Sequence, residues 1–443
     1  MDPKIQVYED FADRLKDANE RDKVTCGDLK EAANQLAMLK NKHTEGDLKL
    51  AYQILRCLRN SCIHSKKNQN LIIENDFVDL FKNYTSTMLD PKNISVLSST
   101  EWFEKTKVMA VQFLGNLVAH NDTAKREVWM HAFPSFFFTL FANLNEKGKD
   151  CLCMVVYNCL KDREFIFDNE NEFWLLNSII EFSSSTDDCE WGLLVVELLF
   201  TSNSFERFYK ELTLYPNVRG ILLDVLHAYL SDEEAVVSVK ENNLIFLADD
   251  FRTKSACIFM LAKEDSEEWL EESLLLLKVL SILCTATSLC KYKEIRAEEK
   301  LLKTIVDLLK QTNRSEFSSY FSKPAQAGTA KDVHPAYGFK RDLVRTIGNM
   351  CYKNKKMQDK VREFDGIRST LNACNIDERN PFILQWAIFA VRNICEDNIE
   401  NQELVGSVEK QGLARNHFLT DSNITTNIVD GKITISSKDS LNR

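Results

Sequence analysis

The stretch "RTIGNMCYKNKKMQDKVREFDGI" (345–367) decides the fold. Alone, it reads as a small chemical site in which an amide, a thiol and several lysines crowd together. Two other stretches carry the same residues at the same offsets: "RCLRNSCIHSKKNQNLIIENDFV" (56–78) and "FAVRNICEDNIENQELVGSVEKQG" (389–412). In each, an Asn follows an apolar residue and Arg or Gly (Asn60, Asn349, Asn393). A Cys stands two residues later (Cys62, Cys351, Cys395), a Gln nine later (Gln69, Gln358, Gln402) and an aliphatic residue twelve later (Ile72, Val361, Val405). A fourth copy, "QFLGNLVAHNDTAKREVW" (112–129), keeps Asn116 and Val128 but has Val118 and Lys125 at the Cys and Gln places. "VVYNCLKD" (155–162) begins a degenerate fifth. The stretch is one unit of a repeat.

The copies lie 393 − 349 = 44 and 116 − 60 = 56 residues apart. A helical repeat of about 40 to 47 residues is the pattern of armadillo and HEAT solenoids, in which no unit has core enough to stand alone and stacking buries each unit on the next. The expected fold is all-α, an armadillo/HEAT-like right-handed helical solenoid of about eight to ten units. The long third helix of a unit ends near the Cys, a polar loop follows, and the next helix begins at the Gln. Asp365-Gly366 would close that helix as a C-cap. Between about 140 and 310 the apolar spacing persists without the Asn, as in degenerate repeats.

Composition agrees. Only 13 Gly and 7 Pro occur in 443 residues, which disfavours turn-rich β folds and Gly-rich phosphate loops. The net charge of −10 is wrong for a protein that tracks phosphates, so no nucleic-acid partner is expected. The most apolar stretch (273–290) is interrupted by Lys278 and suits a buried helix better than a membrane span. Thirteen cysteines without an export signal at the N-terminus imply reduced thiols inside the cell.

Organisation follows from where periodicity fails. Residues 1–310 read as an N-terminal helical array and 311–338, with two prolines and little apolar spacing, as a surface loop or hinge. Residues 339–418 read as a compact C-terminal module, and 419–443 as a polar, β-leaning tail.

From Phe339 to about Glu403 the chain resembles the C-terminal module of the ataxin-10 family. The resemblance is carried by "FKRDLVRTIGNMCYKNKKMQDKVREFDGI", "LNACNIDERNPFILQWAIFAVRNICE" and "NIENQELV", and "VDGKITI" resembles the family's ending. Residues 54–120 resemble its N-terminal repeats more weakly. The resemblance implies a non-enzymatic, armadillo-like scaffold, mainly cytoplasmic, with protein partners. It also implies a connection to cytokinesis and to neuronal survival and neurite growth.

The candidate partner-binding residues are Asn60, Asn116, Asn349, Asn393, Arg345, Lys353, Lys355, Lys356 and Arg392. A third-helix Asn can donate to and accept from an extended peptide backbone, so the four could form a binding ladder. Equally, each could tie down its own interhelical loop. Armadillo carriers of basic peptides hold a Trp four residues before the Asn, whereas this chain has Arg56, Gln112, Arg345 and Phe389. A nuclear transport adaptor is therefore disfavoured, and an acidic partner favoured. Between Lys340 and Arg368, nine basic and four acidic residues give a local excess of 9 − 4 = +5, a docking patch or a solvated loop. The repeated cysteines suit small apolar fillers more than a thiol-based enzyme or regulatory site. Trp386 lies on an apolar helical face opened by Pro381. No motif for a nucleotide, metal or other cofactor is present, and none is expected. Oligomeric state is left open, a homo-oligomer included.

Overall fold

The computed structural model describes residues 3–42, 44–161, 170–186, 189–232, 238–263, 267–323, 334–407, 424–429 and 432–437. Apart from one antiparallel hairpin, every regular element among them is helical. The chain forms two compact units, Met1–Val225 and Leu226–Arg443, each built of stacked helices in the armadillo/HEAT manner.

In the first unit the repeat helices are α1 (Pro3–Arg14), α2 (Cys26–Met38), α3 (Glu45–Ser61), α4 (Lys66–Glu74), α5 (Phe77–Met88), α6 (Glu101–Val118), α7 (Asp122–Ala132), α8 (Ser135–Asn143), α9 (Glu146–Leu160) and α10 (Glu190–Phe200). The long helices α1, α3, α6, α9 and α10 pack side by side in that order. Their ends are set by sequence. Thr25 with Asp28, and Thr44 with Asp47, form capping boxes that start α2 and α3, each cap supplying about 1 kcal/mol. Ile54, Leu55 and Leu58 of α3 and Val111, Leu114 and Leu117 of α6 are fully buried, as apolar residues three to four apart on one helical stripe must be.

The second unit repeats the scheme with α11 (Glu267–Ser288), α12 (Glu299–Thr312), α13 (Phe339–Cys351), α14 (Lys355–Glu363), α15 (Gly366–Leu371), α16 (Ile383–Cys395) and α17 (Ile399–Ser407). Here α11, α13 and α16 are the successive third helices. Gly348 lets α13 and α16 approach closely: a Cβ there would stand 3.0 Å from Ala390 Cα. The hairpin pairs β1 (Ile424–Val429) with β2 (Lys432–Ser437), Val429 opposite Lys432, within the stretch read as a β-leaning tail. Residues 408–423 lie outside the described residues.

Three boundaries differ from the sequence reading. The helices after the third ones begin at Lys66, Lys355 and Ile399, three residues before the Gln, because capping side chains upstream start them early. Gly366 is no C-cap. Asp365 takes the left-handed backbone (φ 54°) and Gly366 opens the next helix, where a Cβ would press on Val306 and Val361 at 3.0 Å. The helix carrying Trp386 starts at Ile383, two residues beyond Pro381.

The described parts of 311–338 belong to the second unit and are packed into it. Phe321 is fully buried against Phe259 and Phe339, with ring centroids 5.1 and 5.2 Å away. Residues 324–333 of this segment lie outside the described residues.

Candidate functional site

The repeated residues gather at the loop that joins a third helix to the next unit. Each Asn amide donates to a main-chain carbonyl of the preceding third helix. Asn60 Nδ2 reaches Ala12 O at 2.8 Å, Asn116 reaches Arg59 O at 3.1 Å, Asn349 reaches Cys284 O at 3.0 Å and Asn393 reaches Gly348 O at 3.0 Å. In the pairs Asn60/Asn116 and Asn349/Asn393 the acceptor is the residue immediately before the preceding Asn. Asn60 and Asn393 are buried, while Asn116 and Asn349 are half-buried. These amides therefore tie one unit to its neighbour.

Four residues after the Asn the backbone is left-handed: His64 (φ 50°), His120 (56°), Lys353 (50°) and Asp397 (52°). One residue later stands the N-cap of the next helix. Ser65, Asn121, Asn354 and Asn398 accept from the backbone N–H three residues on. The left-handed residue reverses the chain and the cap starts the helix within one residue, so the loop needs no glycine.

The Gln at +9 then locks the next unit. Gln69 Nε2 donates to Asn116 O at 2.8 Å and Ala119 O at 3.0 Å, and Gln358 Nε2 donates to Asn393 O at 3.0 Å. In return, the capping Asn of the following unit donates to the Gln carbonyl oxygen: Asn121 to Gln69 and Asn398 to Gln358, both at 3.2 Å. Gln402 differs: it is exposed and donates to Cys395 O of its own unit at 2.8 Å, whereas Gln69 and Gln358 are buried. Buried amides satisfied on both sides in this way hold register, because any slip leaves them unpaired.

The remaining candidates are distributed around this frame. Lys355 faces Glu400 at 3.4 Å and Asp359 at 3.8 Å, and Lys356 meets Glu299 at 2.5 Å. Lys353 rests over the Tyr352 ring at 5.3 Å. Lys360 and Arg362 pair with Glu363 and Asp359. Much of the local positive charge is thus matched by acids of the same chain. Donation from Asn398, then the nearby Lys355 and Arg362 charges, hold the Asp359 carboxyl below its ordinary range. The hydrogen bond from Lys356 does the same for Glu299.

Arg345 and Arg392 lie elsewhere, on the outer row of the third helices. The Arg345 guanidinium stands over the Trp386 ring at 4.5 Å, and that of Arg392 is 6.0 Å from the Phe389 ring. In the first unit Arg56 pairs with Asp13 at 2.5 Å.

The thiols sit where fillers belong. Cys62 and Cys351 are buried and Cys395 half-buried. Burial pushes the Cys62 thiol up to about 12 and raises Cys351 and Cys395 as well, the reverse of what activates a nucleophile. Among the described residues no cluster of three metal-ligating side chains occurs, and no helix is long and apolar enough to cross a membrane.

A clamp formed by Asp377-Glu378-Arg379-Asn380 has no local signal in the sequence. Asn380 is fully buried; its amide donates to Phe321 O at 2.7 Å and its carbonyl oxygen accepts from Arg341 N. Asp377 accepts from Lys323 N at 2.9 Å, and Arg379 donates to Ser319 O at 2.9 Å and to Tyr320 O. These four residues bind the 318–323 turn to the loop before α16. The +5 cap does have a signal: an Asn or Ser recurs at that offset in all four copies.

Helix stacking locked by loop amides defines an armadillo-like helical-repeat protein. The chain belongs to the ataxin-10 family. Residues 339–436 match the family model described as the spinocerebellar ataxia type 10 protein domain. The chain is 30% identical to Ataxin-10 of Xenopus tropicalis over 410 residues, 89% of this chain and 82% of that one. It is 30% identical to Ataxin-10 of Homo sapiens over 426 residues, 92% and 84% of the two. An Ataxin-10 homolog of Dictyostelium discoideum is 45% identical over 93 residues, 21% of this chain and 15% of that one. Among solved structures, an engineered protein aligns over 88% of this chain and 94% of its own at 12% identity, with a TM-score of 0.35. That likeness is too distant to bear on the fold.

Proposed function

We propose that the chain is a non-enzymatic scaffold that binds partner proteins along the outer row of its third helices. Its place of work is the cytoplasm, and its processes are cytokinesis and neuronal survival or neurite growth, as family membership suggests. One observation carries the binding reading. The Asn and Gln amides hold successive third helices in register from within, and the side chains four residues before the Asn stay accessible. Arg56, Gln112 and Arg345 are half-buried and Phe389 is exposed. Within each unit, such a row of polar and aromatic groups on packed third helices is suited to reading an extended segment of a partner. The raised thiols of Cys62, Cys351 and Cys395 argue against nucleophilic chemistry at the repeated position.

Proximity labelling in cells tests this reading. A full-length Arg56→Glu, Arg345→Glu, Arg392→Glu variant should lose labelled neighbours, while Lys30→Glu, Lys42→Glu, Lys300→Glu, exposed positions off this row, should keep them. Identical neighbour lists for both variants and wild type would sink the proposal.

A further inference from the structure

The end of the third-helix row in the second unit carries a group of side chains that the bracing scheme does not use. Arg345 of α13 lies over Trp386 of α16 at 4.5 Å. Trp386 meets Phe389 edge-on, centroids 6.3 Å apart at 85°. The Arg392 guanidinium follows at 6.0 Å from Phe389. Arginine, indole, phenyl and arginine thus follow one another across two helices. Arg345 and Trp386 are half-buried, Arg392 is exposed, and Phe389 is 42% exposed.

Two features say what this array binds. First, the indole face next to α13 already holds a guanidinium of the same chain. A lysine or arginine from a partner would have to displace Arg345 and would meet repulsion from Arg392. Second, the positive charge exceeds its local counterpart. Asp342 is the carboxylate paired with both Arg341 (2.8 Å) and Arg345 (3.5 Å), so one acid is shared between two guanidinium groups. Carboxylates are the complement of such guanidinium groups, and the ring stack gives an apolar side chain a surface to cover.

We propose that Arg345, Trp386, Phe389 and Arg392 form a docking surface for an acidic segment of a partner protein that carries an aromatic or large aliphatic side chain. The carboxylates pair with Arg345 and Arg392, and the apolar side chain lies on Phe389. This rests on the scaffold reading and narrows it to one surface and one partner chemistry.

The test is to pan a random twelve-residue peptide display library against the full-length chain, then measure selected peptides on variants. Enriched peptides should combine two or more Asp or Glu with Phe, Tyr, Trp or Leu. Their affinity should fall at least tenfold in Phe389→Ala and in Arg345→Gln, Arg392→Gln, with helical content by circular dichroism unchanged, and should weaken as salt rises. Enriched peptides without acids, peptides bound equally by the variants, no enrichment, or self-association of the chain through Phe389 would each overturn the proposal. If Arg56→Glu alone removes labelled neighbours in cells while Phe389→Ala removes none, the scaffold reading stands and this surface is excluded.

Discussion

Gln358 and Asn398 lie 40 residues apart in the chain and bond to each other across two repeats: Asn398 Nδ2 donates to Gln358 Oε1 at 3.2 Å. Gln69 and Asn121 make the same bond at the same distance in the other unit. Removing Gln358 leaves the Asn398 amide and the Asn393 carbonyl without this partner. Gln358→Ala should therefore lower stability by about 2 kcal/mol, within the usual range for orphaned buried polar groups. A urea double-mutant cycle with Asn398→Ala should show coupling of about 1 kcal/mol; additive losses would mean the bond carries no weight.

The left-handed residue at +4 makes a different prediction. Lys353 holds φ 50°, which costs an L-residue about 1 kcal/mol or more. Lys353→Gly relieves that strain and adds unfolded-chain entropy of similar size, so its urea midpoint should stay near wild type or rise. Lys353→Val, β-branched at positive φ, should lose more than 1 kcal/mol. Equal behaviour of the two variants would contradict the backbone assignment.

Close approach of α13 and α16 predicts a contrast between two glycines. Gly348→Val places methyl groups against the Ala390 backbone and should cost about 2 kcal/mol, as overpacking does. Gly406 has nothing within 4 Å of a built Cβ, so Gly406→Ala should be neutral or stabilising by up to about 1 kcal/mol. Thermal melts of the two variants decide it.

Asp359 links the Gln358–Asn398 contact to pH, because Asn398 Nδ2 also donates to its carboxylate at 2.9 Å. Its carboxyl is held below the ordinary carboxylate range, first by the Asn398 amide. A lowered folded-state value means the unfolded chain binds the proton more readily. The stabilisation is therefore complete above the unfolded carboxylate value of about 4 and is lost as pH falls through the lowered folded one. Urea midpoints of wild type and Asp359→Asn should differ at pH 7 and converge toward pH 3. A difference independent of pH would assign the effect to shape instead of charge.

The fold was legible because Asn, Cys, Gln and an aliphatic residue recur at fixed offsets, and a solenoid repeats its inner contacts wherever it repeats its geometry. Less legible was what each residue does. Asn393 looks the same in sequence whether it meets a peptide or the Gly348 carbonyl, since only the packing of α13 on α16 brings that carbonyl within 3.0 Å. The positive charge of 340–368 reads as a patch until Glu299 and Glu400 arrive from other helices. The pairing of Arg345 with Trp386 joins positions 41 residues apart and has no local signal. "NIDERNPFILQWAI" was recognisable by family but mute in role, because Asn380 acts on Phe321, 59 residues upstream.

The Asn residues brace the third helices from within, and the partly accessible row beside them is the proposed binding surface. The most direct test of this division is proximity labelling with full-length Asn393→Ala, run alongside a urea melt of the same protein. If Asn393 only braces, the urea midpoint falls and the list of labelled neighbours is unchanged at temperatures where the variant is folded. An unchanged midpoint with neighbours lost would place Asn393 in the binding surface and contradict that division.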